Sequence, residues 1–466
     1  MTQLTGAAGE SATGERPTRG ISARVAVVAA AIGAIYGYDS GSIGGALVFL
    51  RDDYRLSTLW VSVVTSVVVV GSLLGAAFGP RLANGLGRKV TMLLVAAGFA
   101  VFAALSAVPF GVWWLTVVRL LLGVTIGLST VVAPVFISEF AADHTRGRLA
   151  TSYQFFTSAG VVVSLLACWA LAGTKSWELM LGLSAVPAVA VFVALLSFPD
   201  SPRWYAMKGR TEQALATLRR VDPDVAPEAR LAEIQADLAV GESGRFREIF
   251  TRHYARATAF VIGFGFFVQI TGTNTILYYS PMIFEQAGVS DASDSILVSA
   301  LVQVFAIAGV LLSILTVDRW GRRGPLLLGT VAMIVGHVVM TYVFLQSTIT
   351  RGTGYLAVAG IALFYVGFYF GIGSLIWVYT GEAFPARLRS VGAAALLMTD
   401  FIANLIATLA FPGVLSALGG AAGFGAFAVL SVLALVFMHR MAPETKGRSL
   451  EEVRGYWDNG GRWAGS

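Results

Sequence analysis

The sequence predicts an all-α membrane protein with twelve transmembrane helices in two parallel six-helix halves and a helical cytoplasmic insert between them. Composition is the first sign. Of 466 residues, 56% are hydrophobic, 13% are charged and 52 are glycine, and mean hydropathy is +0.73, far from the usual globular mix. The second sign is a series of apolar runs, each close to the ~20 residues that a helix needs to cross a bilayer core. The third is one long polar stretch, Pro199 to Arg256, which holds ten of the 33 Lys and Arg residues. Six apolar runs precede it and six follow.

Residues 1–23 are rich in Gly, Ser, Thr and Ala, which predicts a disordered cytoplasmic tail. The first run, Val25 to Val48, would pass for a signal-peptide core if it stood alone. With eleven runs behind it, it reads as an uncleaved first helix. The first half, residues 24–198, continues with runs at 59–78, 90–110, 113–137, 150–172 and 179–198. The insert, 199–256, predicts surface helices at Glu212 to Val221 and from Pro227. Leu231, Ile234 and Leu238 share one face of the second, a stripe that reads as a packing surface. The second half, 257–440, has runs at 257–283, 296–317, 325–345, 355–380, 391–412 and 421–438, and 441–466 form a cytoplasmic tail.

Basic residues set the orientation. All of the Lys and Arg except Arg51, Arg55, Lys175, Arg351 and the intrahelical Arg119 fall on loops and tails on the same side as residue 1. Such asymmetry marks the cytoplasmic side, so both termini and the insert are expected there, in a multi-pass protein of the plasma (inner) membrane. It also accounts for the net charge of +6 without nucleic acid as a partner. The Arg51-Asp52-Asp53-Tyr54-Arg55 run reads as a solvated outer loop. The single cysteine, Cys168, excludes an intrachain disulfide and reads as a small buried hydrophobe. His144, His253 and His439 show no metal-ligand spacing, and His337, in the ninth run, reads as a satisfied packing residue. No nucleophile–base pair suggests an enzyme, and no metal or cofactor is expected.

The loops repeat between the halves. Gly87-Arg88-Lys89 follows the second run, and Asp318-Arg319-Trp320-Gly321-Arg322-Arg323 follows the eighth. Glu139 to Arg146 recurs as Glu382 to Arg389. Pro199-Asp200-Ser201-Pro202 closes the sixth run as Pro443-Glu444-Thr445-Lys446-Gly447 closes the twelfth. Parallel six-helix halves of this kind belong to transporters whose halves rock about a central site.

With Arg119-x3-Gly123-x3-Gly127, Pro199-Asp200-Ser201-Pro202-Arg203-Trp204, Gln269-x2-Gly272-x-Asn274-x3-Tyr278-Tyr279 and Glu382-x-Phe384-Pro385 added, the chain resembles the sugar porters of the major facilitator superfamily over nearly all of residues 25–450. On their own, arginines at helix ends suit pairing with Glu139 and Glu382, and serve either to latch the halves or to enforce topology. The resemblance implies an inner gate built from Arg88, Glu139, Arg146, Asp318, Arg322, Glu382 and Arg389. Asn84 and Gly85 stand where the family usually has an acid and a base, which weakens one latch.

In the first half two charges lie inside apolar runs: Asp39 in the first and Arg119 in the fourth. Each costs on the order of 2.5–3.5 kcal/mol in a bilayer, so each is expected to find the other, either as a structural pair or as a proton site. The resemblance implies the proton site, because proton-coupled sugar porters carry an acid at this first-helix position.

Sugar hydroxyls suit amides, which donate and accept, and aromatic faces. Gln154, Gln269, Asn274, Tyr278, Trp377 and Asn404 match the family's sugar contacts by the resemblance. Asp400 stands where an amide is expected, Phe401 where a tryptophan is common, Val268 replaces a glutamine and Gln303 an asparagine. Asp400 is therefore either a substrate ligand or a helix-to-helix acceptor. The expected function is proton-coupled import of a monosaccharide or polyol by a monomer, with the proton as coupling ion and the bilayer and a small-molecule sugar as partners. A facilitative carrier of the same fold and a non-transporting sensor are the alternatives. Asp39 argues against the first, and the short tail after Arg440 is expected to argue against the second.

Overall fold

The computed structural model describes residues 20–140, 146–221, 226–240, 245–289, 291–348, 350–448 and 450–463, so most of the N-terminal tail and His144 lie outside the described residues. Among the described residues the chain forms α-helices and no β-strand.

The first half contains α1 (Gly20–Asp53), α2 (Thr58–Leu86), α3 (Arg88–Ser106), α4 (Val112–Phe140), α5 (Arg146–Leu171), α6 (Trp177–Gly182) and α7 (Ala185–Leu196). Ser57 caps α2 and Ser176 caps α6, each accepting a backbone N–H of the first turn. The sixth apolar run is thus two short helices in series, α6 and α7. The insert folds as α8 (Pro202–Met207), α9 (Thr211–Val221) and α10 (Pro227–Val240). Leu231 and Ile234 of the α10 stripe pack with Ala214 and Leu218 of α9.

The second half contains α11 (Ala255–Ile270), α12 (Thr273–Gln286), α13 (Ala292–Trp320), α14 (Arg323–Leu345), α15 (Arg351–Phe370), α16 (Ile372–Ala383) and α17 (Ala386–Met441), and α18 (Leu450–Asp458) follows it. The seventh run breaks at Gly272, where φ is +97°, and the tenth at Gly371. An unbroken α17 would run to roughly 84 Å at 1.5 Å per residue, against a hydrocarbon core of about 30 Å. Gly419, with φ 81° and ψ 168°, divides it into two arms. Ten stretches are long and apolar enough to cross a membrane, α17 counted once. Splitting α17 and adding the 34-residue α1 makes twelve crossings among the described residues.

Within the halves α1 packs on α5, α2 on α4, and both α11 and α14 on α17. The seams between halves are α2 on α17, α5 on α13 and α1 on α12. Large apolar side chains such as Leu94, Val101, Val193, Leu315 and Val335 point outward, as on a bundle that lipid surrounds.

The repeat in the loops becomes a repeated contact. Asp200 Oδ1 accepts the N–H groups of Arg88 at 2.9 Å and Lys89 at 3.2 Å, the first turn of α3. Glu444 accepts those of Arg322 and Arg323, both at 3.0 Å, where α14 starts. Helix N-termini leave N–H groups unpaired and favour negative charge, so each carboxylate satisfies both needs. A Cβ on Gly87 would lie 2.1 Å from Asp200 Oδ2, and one on Gly321 2.4 Å from Glu444 Oε2. Both glycines have positive φ. Lys89 Nζ donates to the Leu196 carbonyl at 3.0 Å, and Arg323 Nη2 to that of His439 at 2.7 Å, so each clamp also holds the last crossing of its half.

The electrostatic balance of the two clamps differs. Burial pushes the Asp200 carboxyl up, against its backbone N–H bonds. Burial acts the same way on Glu444, but the N–H groups of Arg322, Lys446 and Arg323 outweigh it and hold that carboxyl below its ordinary value.

Candidate functional site

Midway along the bundle, α1, α2 and α4 of the first half meet α12 and α17 of the second around one cavity. Asp39, Arg119, Tyr278 and Asn404 line it, with Tyr36 and Ser72. Its volume is about 10 Å³, at the lower limit for a single water molecule. At that size the cavity admits no sugar.

Arg119 reaches this position because α4 lies unusually close to α2. A Cβ on Gly123 would lie 2.1 Å from the Val68 carbonyl, and one on Gly127 2.0 Å from that of Ser72. That approach lets Arg119 Nε donate to the Val64 carbonyl at 3.1 Å. Arg119 is 1% exposed and Asp39 5%. Arg119 Nη1 lies 3.7 Å from Asp39 Oδ1. At that distance the charges attract, but the separation is too long for a hydrogen bond. Neither Nη1 nor Nη2 has a hydrogen-bond partner among the described residues. A buried guanidinium with unused donors is costly, and a small movement, a proton or a substrate oxygen would change its balance.

Asp400, 8% exposed, sits one turn from Asn404 on α17 and accepts a hydrogen bond from Gln269 Nε2 at 3.3 Å. Asn404 Oδ1 accepts from the Thr408 hydroxyl at 3.0 Å, and the Tyr278 hydroxyl faces the Asn404 side chain. The Tyr279 hydroxyl donates to the Thr408 carbonyl at 3.1 Å. Of the substrate residues expected from sequence, Tyr278 and Asn404 thus line the cavity, and Gln269 and Asp400 bond one another. Gln154 and Asn274 are half-buried on α5 and α12 and do not line it. The side chains of Trp377, Arg146 and Asp318 lie outside the described residues.

Tyr36, Ser40 and Ser72 complete the cavity wall without having been singled out by sequence. Tyr36 precedes Asp39 by three residues and so shares its helix face, a spacing that was available to be read. Nothing in the sequence marks Ser72.

At the basic end, Arg88 Nε pairs with Glu139 Oε2 at 3.1 Å, both side chains buried. The pair joins α3 to α4 within the first half, and the Glu444 clamp lies within the second. These two contacts stiffen each half; the side chains of Arg146 and Asp318, which the latch reading also needs, lie outside the described residues. Arg322, Glu382 and Arg389 are half-buried at the same end. At the opposite end Asp52, Asp53 and Arg55 are exposed, as a solvated loop requires, but the run also makes contacts. Trp177 Nε1 donates to Asp53 Oδ2 at 3.0 Å, and Arg51 Nη2 lies 3.9 Å from Glu285 Oε2, across the two halves. A second cavity of about 190 Å³ opens there, lined in part by Arg51, Thr58, Tyr279, Gln286 and Ser416.

Comparison with known proteins adds to this geometry. The family described as Sugar (and other) transporter matches residues 25–457. The galactose-proton symporter of Escherichia coli (strain K12) is 33% identical over 432 residues, covering 92% of this chain and 93% of that protein. The arabinose-proton symporter of the same strain is 30% identical over 443 residues, covering 94% of each. Among solved structures, the proton:xylose symporter XylE bound to 6-bromo-6-deoxy-D-glucose superposes with a TM-score of 0.78 at 25% identity, covering 94% of this chain and 99% of that one.

Proposed function

The chain belongs to the sugar transporter family of the major facilitator superfamily, and from that membership we propose that it imports a monosaccharide or polyol together with a proton. The observation that carries the proposal is the Asp39–Arg119 pair, set in the wall of a cavity that both halves build. A titratable carboxylate with a loosely held cation partner, in contact with the place where the halves meet, is what coupling needs. With a proton on Asp39 the charge opposite Arg119 is gone, and its free N–H donors turn to substrate oxygens or backbone. Loss of the proton on the other side restores the pair and weakens the hold on substrate. Moving one charge through ~100 mV supplies about 2.3 kcal/mol, enough for roughly a fifty-fold sugar gradient.

Gln154, Gln269, Asn274, Tyr278, Trp377, Asp400 and Asn404 form the substrate walls in this reading. Because the cavity now holds at most a water, sugar enters a wider state of the same site, in which Gln154 and Asn274 swing toward the centre. The relatives named for galactose, arabinose and xylose transport support the substrate class. The basic end, with both termini and the insert, faces the cytoplasm of the inner membrane, and the monomer is the transporting unit with no cofactor beyond the proton. Arg88, Glu139, Arg146, Asp318, Arg322, Glu382 and Arg389 at that end form its inner gate.

The test is uptake into proteoliposomes across hexoses, pentoses and polyols, with and without an imposed inward proton gradient. Wild type is expected to concentrate one class of sugar only with the gradient. Asp39→Asn keeps shape and a hydrogen bond but cannot titrate, so it is expected to bind and exchange sugar yet not to accumulate it. Gradient-driven accumulation by Asp39→Asn would falsify the assignment of the proton to this residue.

A further inference from the structure

His337 is a buried titratable group that the transport scheme leaves unused. It lies on α14, 1% exposed, its ring centroid 4.6 Å from that of Phe364, 5.6 Å from Phe427 and 6.2 Å from Phe424. Its Nε2 is 3.1 Å from the Thr271 carbonyl. A carbonyl only accepts, so Nε2 carries the hydrogen and donates it. Nδ1 faces the aromatic surround with no hydrogen-bond partner among the described residues.

Thr271 is where the seventh crossing breaks. It follows the last residue of α11, and Gly272, at φ +97°, is the cap residue just before α12. No side chain fits at Gly272, since a Cβ there would lie 2.8 Å from the Phe427 ring. A broken helix leaves carbonyls of its last turn without N–H partners, and inside a membrane each such group costs several kcal/mol unless a neighbour satisfies it. Here α14 supplies the neighbour. The break also divides the substrate residues, with Gln269 before it and Asn274 and Tyr278 after it.

We propose that His337 is a positioning residue for the substrate site: by holding the Thr271 carbonyl it sets the angle between α11 and α12, and so the placement of Gln269 against Asn274 and Tyr278. This rests on the reading of those three residues as substrate ligands. An aromatic ring alone would fill the cage of phenylalanines as well, so the donor is what distinguishes histidine here.

The test compares His337→Phe, which keeps a ring and removes the donor, with His337→Gln, whose amide nitrogen falls near the place of Nε2. Two quantities are measured in purified protein: affinity for the sugar best transported in the uptake screen, and backbone hydrogen exchange across residues 268–278. His337→Phe is expected to bind about tenfold more weakly, as befits the loss of one buried hydrogen bond, and to exchange faster at the α11–α12 junction alone. His337→Gln is expected to stay close to wild type in both. A folded His337→Phe with wild-type affinity and exchange overturns the proposal, as does equal impairment of the two variants, which would make ring packing decisive. If His337→Phe fails to assemble, assembly of His337→Gln supports the donor and its failure overturns it. Asn274→Ala separates the premise from the proposal. Unchanged affinity in that variant removes the substrate reading, and the exchange measurement then decides the role of His337 alone.

Discussion

At position 400 a carboxylate lies buried on α17 with one side-chain donor among the described residues, the Gln269 amide, 3.3 Å away. A buried charge of this kind is costly unless something neutralises or solvates it, and a substrate hydroxyl that donates to it would lower that cost. A carboxylate accepts from two neighbouring hydroxyls at once, whereas an amide in its place accepts from one and donates to another. Asp400→Asn is therefore expected to reorder the sugars, changing relative affinities by about 10- to 100-fold on the scale of hydrogen bonds to charged groups. A competition panel on both proteins measures it; an unchanged order with a lowered melting temperature would assign Asp400 to helix packing. Asp39 and Arg119 were legible as partners because charge is rare in apolar runs, and the structure places them 3.7 Å apart. Ser40 and Ser72 were not, because serine is common in membrane helices and only the fold selects those that face the cavity.

The crossings themselves were legible from hydropathy, down to the packing stripe of α10. The breaks were not. A run of apolar residues reads alike whether its backbone is continuous or turns at Gly272 or Gly371, since hydropathy carries no information on φ. Nor did the loop repeat disclose that its carboxylates cap α3 and α14. That contact yields a pH prediction. Glu444 is held below its ordinary value of 4.5 in the folded protein. Its contribution to stability is thus fully present above that value and is lost as pH falls below it toward the folded one. Glu444→Gln is expected to lower the melting temperature of detergent-solubilised protein at neutral pH. The difference from wild type should shrink below about pH 4.5. Melting curves between pH 3.5 and 7, on both proteins, check it. A difference that is constant with pH would mean that the charge of Glu444 contributes nothing to the clamp.

Over the whole molecule, the halves touch along α2–α17, α5–α13 and α1–α12, and a cavity of about 190 Å³ opens toward one end. At its rim Arg51 faces Glu285 across the seam at 3.9 Å, each side chain partly exposed. Partners so far apart in sequence carry no local signal, which is why the run around Arg51 read as solvated. An exposed pair of this kind is worth about 0.2–1 kcal/mol, so it biases the equilibrium between conformations by at most about fivefold. Glu285→Gln is expected to favour the state in which this end is open. With Cys168→Ser and Val61→Cys, a buried residue of the same cavity wall, as background, labelling by an impermeant maleimide should speed up by up to about fivefold in low salt and by less in high salt. Unaltered labelling would leave the pair without a conformational role.

The two carboxylate clamps also have a consequence for how the chain is made. Asp200 lies 112 residues beyond Arg88, and Glu444 122 beyond Arg322. At 5–20 residues per second, the ribosome delivers Asp200 roughly 6–22 s after the start of α3. Until then the first turn of α3 has no carboxylate to receive it. Each half is locked by a residue just past its last crossing, so assembly proceeds in two instalments. The first can close only once the start of the insert, which carries Asp200, has been made, and a nascent chain released just short of Asp200 has six crossings and an open end.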